Sequence, residues 1–302
     1  MSGYATFVHM SPHYFQAAFA AMPPTVHVDY EAPSFAEGLA IQAQIFNNQP
    51  FVSERPLQAY LNHHPHLSPA LKYLDRSHHW LDAGAGHAVA MRDLAQQKTS
   101  RLARKFGHQA PTMTALSLGK PQCPQLDRDL KKFTQLRYTE SCITDDSCHG
   151  LKPNSIDLIT DIMGPLTYAL DLRAILMKYG ALMTHGAELF ATMQVGYRKR
   201  SEIVDPVSGL IDYPETHFRN LIILDSDGNE LDLKAFFQMV TGFVLYRFHQ
   251  EYFMGDPQNA HFCLLRNDDP LYVPKLRFIE DRFIPGTPPR RVFQLVSPEA
   301  NS

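Results

Sequence analysis

Short apolar runs closed by glycine, proline or small polar residues recur along the chain from residue 79 onward, and the segments between them carry apolar residues at helical spacing. The runs read as buried strands: Trp80-Leu81 before Gly84 and Gly86, Thr112–Leu118 before Gly119-Lys120-Pro121, then Leu136–Glu140, Ser155–Asp161, Leu182–Thr192, Phe243–Phe248 and His261–Leu265. One helical stripe is Ala90, Met91, Leu94 and Ala95, extended by Leu102 and Phe106 to Gly107; another carries Leu126, Leu130 and Phe133. A third helix is expected from Leu170 to Tyr179. Asp232 is placed to cap a fourth, with Leu233, Phe236, Phe237 and Val240 on one face and Gly242 as its stop. Strands alternating with helices predict an α/β fold with a mostly parallel sheet. The last two strands have no crossover helix between them, which predicts an antiparallel pair.

Two regions stand outside this alternation. Residues 1 to about 70 contain a helix from Ser34, with Glu37 as its capping-box partner, to Phe46, and a second from Pro56 to Asn62. Residues 194 to about 230 form an insertion containing Tyr197-Arg198-Lys199-Arg200, with a hairpin expected around Asp225–Asn229. That acidic turn is not a calcium loop, because Glu230 and Phe236 stand where glycine and glutamate would be needed. His63, His64 and His66 surround Pro65 and read as a solvated loop, so no metal is expected there.

Composition narrows the class. With 302 residues, 44% hydrophobic and 20% charged, the chain can bury a sizeable core and reads as a globular protein. Lys+Arg 28 against Asp+Glu 31 provides no global field for nucleic acid or an anionic membrane. Cys123, Cys142, Cys148 and Cys263 form no dense framework and no C-x-x-C pair, which favours free thiols and a cytoplasmic setting. No stretch reads as a membrane span or cleaved signal.

The chain is organised around His79-Trp80-Leu81-Asp82-Ala83-Gly84-Ala85-Gly86-His87-Ala88: a strand, a glycine loop and a helix start. Such a loop directs unpaired amides at a ligand. Val89 stands where a dinucleotide loop needs a small residue, and that loop has no use for an acid at Asp82. The run Asp82-x-Gly84-x-Gly86-x-Ala88 resembles motif I of class I S-adenosylmethionine-dependent methyltransferases, D/E-x-G-x-G-x-G/A. Ser155–Asp161 and Leu182–Thr192 resemble that family's fourth and fifth strands, with Gly186 and Ala187 in the small positions of the turn before the fifth and His185 replacing a proline.

The resemblance implies a three-layer, Rossmann-like methyltransferase sheet, mostly parallel with an antiparallel last strand, preceded by an N-terminal helical region. It implies a helical cap or lid over residues 1–70, a cofactor-binding domain over 71–268 and a C-terminal tail over 269–302. The cofactor is expected to be S-adenosylmethionine, held by Asp82, Ala83, Gly84, Ala85 and Gly86 in the loop, Ser117 and Leu118 at the second strand, Glu140 (or Asp145) after the third, and Asp161, Ile162 and Met163 after the fourth. Ser117 departs from the acid that usually grips the ribose. The expected activity is methyl transfer to an acceptor that the residues do not identify, a small molecule or protein before nucleic acid; the alternative is a methyltransferase-like binding or regulatory protein. Asp161, Tyr168 and His185 are the candidate general bases, none of them singled out as catalytic.

Overall fold

The computed structural model describes residues 54–98, 110–117, 120, 121, 123–144, 150–169, 171–200, 203, 204, 211, 212, 215–253, 255–280 and 291–296. The helix expected from Ser34, the Leu102–Gly107 extension, Leu118, Asp145 and Cys148 lie outside them. The elements that frame the site are α1 (Leu57–His63), α2 (Leu67–Tyr73), β1 (His79–Ala83), α3 (Val89–Lys98), β2 (Thr112–Ser117), α4 (Pro124–Lys132), β3 (Leu136–Glu140), β4 (Ile156–Ile162), α5 (Pro165–Tyr168), α6 (Leu172–Leu182) and β5 (Met183–Gln194). They are followed by β6 (Gly196–Arg200), β7 (Ile203–Val204), β8 (Ile211–Asp212), β9 (Glu215–Arg219), β10 (Leu221–Leu224), β11 (Glu230–Leu231), α7 (Leu233–Gln238), β12 (Phe243–Phe253), β13 (Asp256–Arg266), β14 (Leu276–Glu280) and β15 (Arg291–Leu295).

The main sheet has seven strands in the order β12-β13-β5-β4-β1-β2-β3. Strands β1 to β5 run parallel, and β13 lies antiparallel to both β5 and β12. Alternation puts successive side chains on opposite faces. Trp80, Met113, Leu158, Ile162 and Phe190 join α1 to α4 in one core, whereas Leu81, Leu116, Ile159, Leu189 and Ala191 join α6 and α7 in the other. Each fully buried large apolar side chain contributes about 1.5–3 kcal/mol, so both layers are strongly held.

Local chemistry sets the helix boundaries. Asp171 and Asp232 cap α6 and α7 by accepting from the amides of Ala174 and Ala235 at 2.7 and 3.1 Å, the second of these as the sequence predicts. The amide of Leu57 at the start of α1 donates to Asp93 of α3 at 3.0 Å, so a distant helix supplies its cap. The fifth strand departs from the expected helix–turn–strand. β5 starts at Met183, opposite Ile156, and then bulges so that Glu188 pairs with Leu158, with Gly186 at φ 75° inside the bulge.

The hairpin read around Asp225 is present: the Asp225 carboxylate accepts from the amides of Asp227 and Asn229 at 2.9 and 2.8 Å, joining β10 to β11. These strands form a second sheet in the order β11-β10-β15-β14. Much of the segment read as a tail, 276–280 and 291–295, therefore supplies β14 and β15, and β15 runs parallel to β10. The buried Arg291 donates to the carbonyls of Leu166 and Ala169 at 2.9 and 3.0 Å, tying this sheet to the loop and helix that follow β4.

Candidate functional site

The carboxyl ends of β1 and β4 adjoin at the middle of the sheet, where open α/β sheets take ligands. After β1 the chain turns through Gly84 at φ 80°, Gly86 at φ 55° and Ala88 at φ 52°. Ala88 is thus a non-glycine residue in the left-handed region, at the position where motif I admits glycine or alanine. The amides of Gly84 and Ala85 donate to the Leu116 carbonyl at 2.8 and 3.0 Å, and the Tyr138 hydroxyl donates to the Gly86 carbonyl at 2.7 Å. A methyl group on Gly84 would lie 2.6 Å from the Gly164 Cα, so the loops after β1 and β4 touch through two glycines.

Asp82 is fully buried at the end of β1. Its carboxylate accepts from the Tyr60 hydroxyl and from the Thr160 hydroxyl, both at 2.7 Å, while the Trp80 indole donates to Thr160 at 2.9 Å. Burial pushes the Asp82 carboxyl up to about 6, opposed by these two hydrogen bonds and the Arg55 charge. Arg55 reaches over the loop and donates to the Gly84 carbonyl at 2.9 Å; its buried Nε has no hydrogen-bond partner among the described residues.

Asp161 is engaged otherwise. It accepts from the amides of Gly164 and Leu166 at 2.9 and 3.0 Å and from the Tyr179 hydroxyl at 2.6 Å, and burial raises it to about 7. Three donors on one buried carboxylate make it the organiser of the loop after β4. Ile162 is buried in the α1–α4 core, and Met163, at φ 52°, donates its amide to the Thr192 carbonyl at 2.8 Å.

Ser117 ends β2 nearly buried, and in register with it stands the exposed Glu140 at the end of β3. Registered parallel neighbours project to the same face, so Ser117 and Glu140 share one. His185 is not brought into this region: it lies in the β5 bulge near the start of β4, exposed and 2.8 Å from Asp268. Tyr168 lies in α5, and its side chain is outside what is described.

The histidines read as a solvated loop require correction. His63 ends α1, and His64, only 4% exposed, packs edge-on against Phe190 and His261. The Thr192 hydroxyl sits between His64 Nε2 and His261 Nδ1, 3.0 Å from each. His63 and His249 flank the His261 ring with centroids 5.3 and 6.1 Å away. Burial and the neighbouring imidazoles drive His64 down to about 3, and the same two causes lower His63.

The strand order, with one reversed strand inserted beside β5 and a glycine loop at the end of β1, decides the architecture. The fold is that of class I methyltransferases. No family model matches the sequence, and no curated protein matches it. Solved structures similar to the chain include the 1,6-didemethyltoxoflavin-N1-methyltransferase of Burkholderia thailandensis with bound 1,6-didemethyltoxoflavin and S-adenosylhomocysteine, at 14% identity over 81% of this chain and 94% of that one, with a TM-score of 0.44. Another is the geranyl diphosphate C-methyltransferase of Streptomyces coelicolor, at 11% identity over 84% and 96% and a TM-score of 0.42. A third is a mutant form of the 16S rRNA (adenine(1408)-N(1))-methyltransferase from Catenulisporales acidiphilia, at 10% over 72% and 94% and 0.39.

Arg55, Tyr60, Tyr138 and Thr160, which contact the glycine loop or Asp82, are missed by sequence reasoning. Thr160 alone had a local signal, as a polar residue in an apolar strand immediately before Asp161. A cleft of about 220 Å³ lies elsewhere, lined by Val195, Leu221, Gln250 and Tyr252 among others and by no residue of the glycine loop.

Proposed function

We propose that the chain binds S-adenosylmethionine at the carboxyl ends of β1, β2 and β4 and transfers its methyl group to an acceptor. The observation that carries this reading is the left-handed Asp82–Ala88 loop, bridged to the Gly164 turn on one side and to Tyr138 on the other. The residues fit such a cofactor. Arg55 holds a partly buried guanidinium over Gly84, with one nitrogen unpartnered among the described residues, and would pair with the carboxylate of the methionine part. Ser117 and Glu140 offer a hydroxyl and a carboxylate side by side for the ribose hydroxyls.

When bound, the sulfonium supplies an electrophile that is already activated. The protein's share is orientation and exclusion of water. Asp82, with both oxygens occupied by Tyr60 and Thr160, acts at a distance as a buried negative charge that favours a cationic ligand. Through Tyr60, α1 closes the glycine loop on the same face, in keeping with a cap over residues 1–70 and a binding domain over 71–268. A small-molecule or protein acceptor fits the near-neutral charge better than nucleic acid does.

Calorimetry with S-adenosylhomocysteine, the demethylated product, tests the reading. Binding is expected, with NAD far weaker. Arg55→Gln should weaken it roughly 10- to 100-fold, the equivalent of a lost charged hydrogen bond of about 1.5–3 kcal/mol. Binding of NAD alone would overturn the proposal. Undiminished affinity in Arg55→Gln would remove Arg55 from the site.

A further inference from the structure

At the far end of α1 from the glycine loop, a buried imidazole nitrogen faces a carboxylate and a second histidine. His261, 6% exposed, has its Nδ1 on Thr192. Its buried Nε2 lies 3.1 Å from Glu251 Oε1. His63 joins them, so that a ligating atom from each of His63, Glu251 and His261 lies within 4.8 Å of the other two.

The single hydroxyl proton of Thr192 can go to only one of its two histidines. If it goes to His64 Nε2, then His261 donates from Nδ1, and its Nε2 presents a lone pair to a carboxylate. That pair, 3.1 Å apart, calls for a cation between the two atoms: a second proton on the imidazole or a metal ion. If it goes to His261 Nδ1, Nε2 carries the imidazole proton toward Glu251, and a metal ion would bind by displacing that proton. We propose that His63, Glu251 and His261 form a binding site for one first-row divalent cation of the zinc type.

The donor set suits such an ion. Two neutral imidazoles and one carboxylate are a usual three-ligand zinc set, leaving a position for water or another ligand. With bonds of about 2.0–2.1 Å, tetrahedral geometry separates neighbouring ligand atoms by roughly 3.4 Å. The 3.1 Å gap is near that value already, and the half-exposed Glu251 has room to rotate, while His63, stacked on His261, must turn to bring a nitrogen to the same ion. The outer contacts are those that fix a ligating histidine: Nδ1 of His261 is held by Thr192, and Thr192 in turn by the buried His64. Glu251 also accepts from Asn259 at 2.8 Å, which holds it on the β12–β13 hairpin. Access is from the solvent side of Glu251, whose side chain is 45% exposed.

The test is titration of the chelator-treated, full-length protein with Co²⁺ alone, read by visible absorption, followed by displacement with Zn²⁺ in the calorimeter. One equivalent is expected, with the intense d–d bands of a four- or five-coordinate nitrogen–oxygen site. Glu251→Gln and His63→Gln, both at side chains outside the deep core, should weaken Co²⁺ binding by about 10-fold or more and retain the parent's circular dichroism. His185→Gln, at an exposed histidine elsewhere, should match the parent. Absence of stoichiometric binding, or equal affinity in Glu251→Gln, overturns the proposal and leaves His261 and Glu251 as a proton-sharing pair. The titration contains no S-adenosylmethionine, so its failure and the failure of the cofactor reading are distinguishable.

Discussion

Asp82 and Asp161 show how one residue type takes two roles from strand alternation. Asp82 shares a face with Trp80 and meets Tyr60 of α1, whereas Asp161 projects to the opposite face and meets Tyr179 of α6. Both have folded values, about 6 and about 7, above the ordinary 3.8. The folded state therefore holds these protons more tightly than the unfolded chain does. The stabilisation is fully present below about pH 4 and is lost as the pH rises through the folded value. For Asp161 the span from 3.8 to about 7 corresponds to something on the order of 4 kcal/mol. His64 works in the other direction: held down to about 3, it costs stability as the pH falls below 6.5. Thermal unfolding of the parent and of Asp161→Asn between about pH 4 and 8 separates the two effects. The stability difference, parent minus variant, should decline with rising pH and level off above about pH 7. Parallel curves would show that Asp161 does not titrate in this window.

At the scale of the element, the loops after β1 and β4 behave as one piece because glycine faces glycine. Gly84→Ala would place a methyl group 2.6 Å from the Gly164 backbone and at φ 80°, where side chains are disfavoured. Steric overlap and left-handed strain together predict a loss of about 2–4 kcal/mol in urea denaturation. An unchanged midpoint would mean that the loops stand apart. Much of this element was legible in the sequence, since Asp82, Gly84, Gly86 and Ala88 carry their geometry in their own residue types. So was the β12–β13 hairpin, because no crossover fits between the two runs. Other features have no local signature. The β5 bulge arises from pairing with β4, and the parallel partnership of β10 with β15 joins segments roughly seventy residues apart. His64 looks like part of a polar His-Pro turn because Thr192 and Cys263, its neighbours in space, are 128 and 199 residues away.

Across the whole molecule, α1 is the piece that spans the two sites. Within one turn it sends Tyr60 to Asp82 and His64 to Thr192, and its first amide rests on Asp93. A seven-residue helix has little stability of its own. Its anchors lie 22, 36, 128 and 199 residues along the chain, the last at β13 near the end of the main sheet. Contacts so distant in sequence can form only after the strands that bear them are paired. An early segment of the described chain therefore docks late, and in the native protein it should come away first. Native-state hydrogen exchange should find the α1 amides opening at a lower free energy than those of β1 and β4, with little dependence on denaturant. Equal opening energies would make α1 part of the globally unfolding unit. Otherwise a newly synthesised chain must wait for β13 before the His64 end of α1 can close, so the last segment of the sheet governs when the first described helix becomes useful.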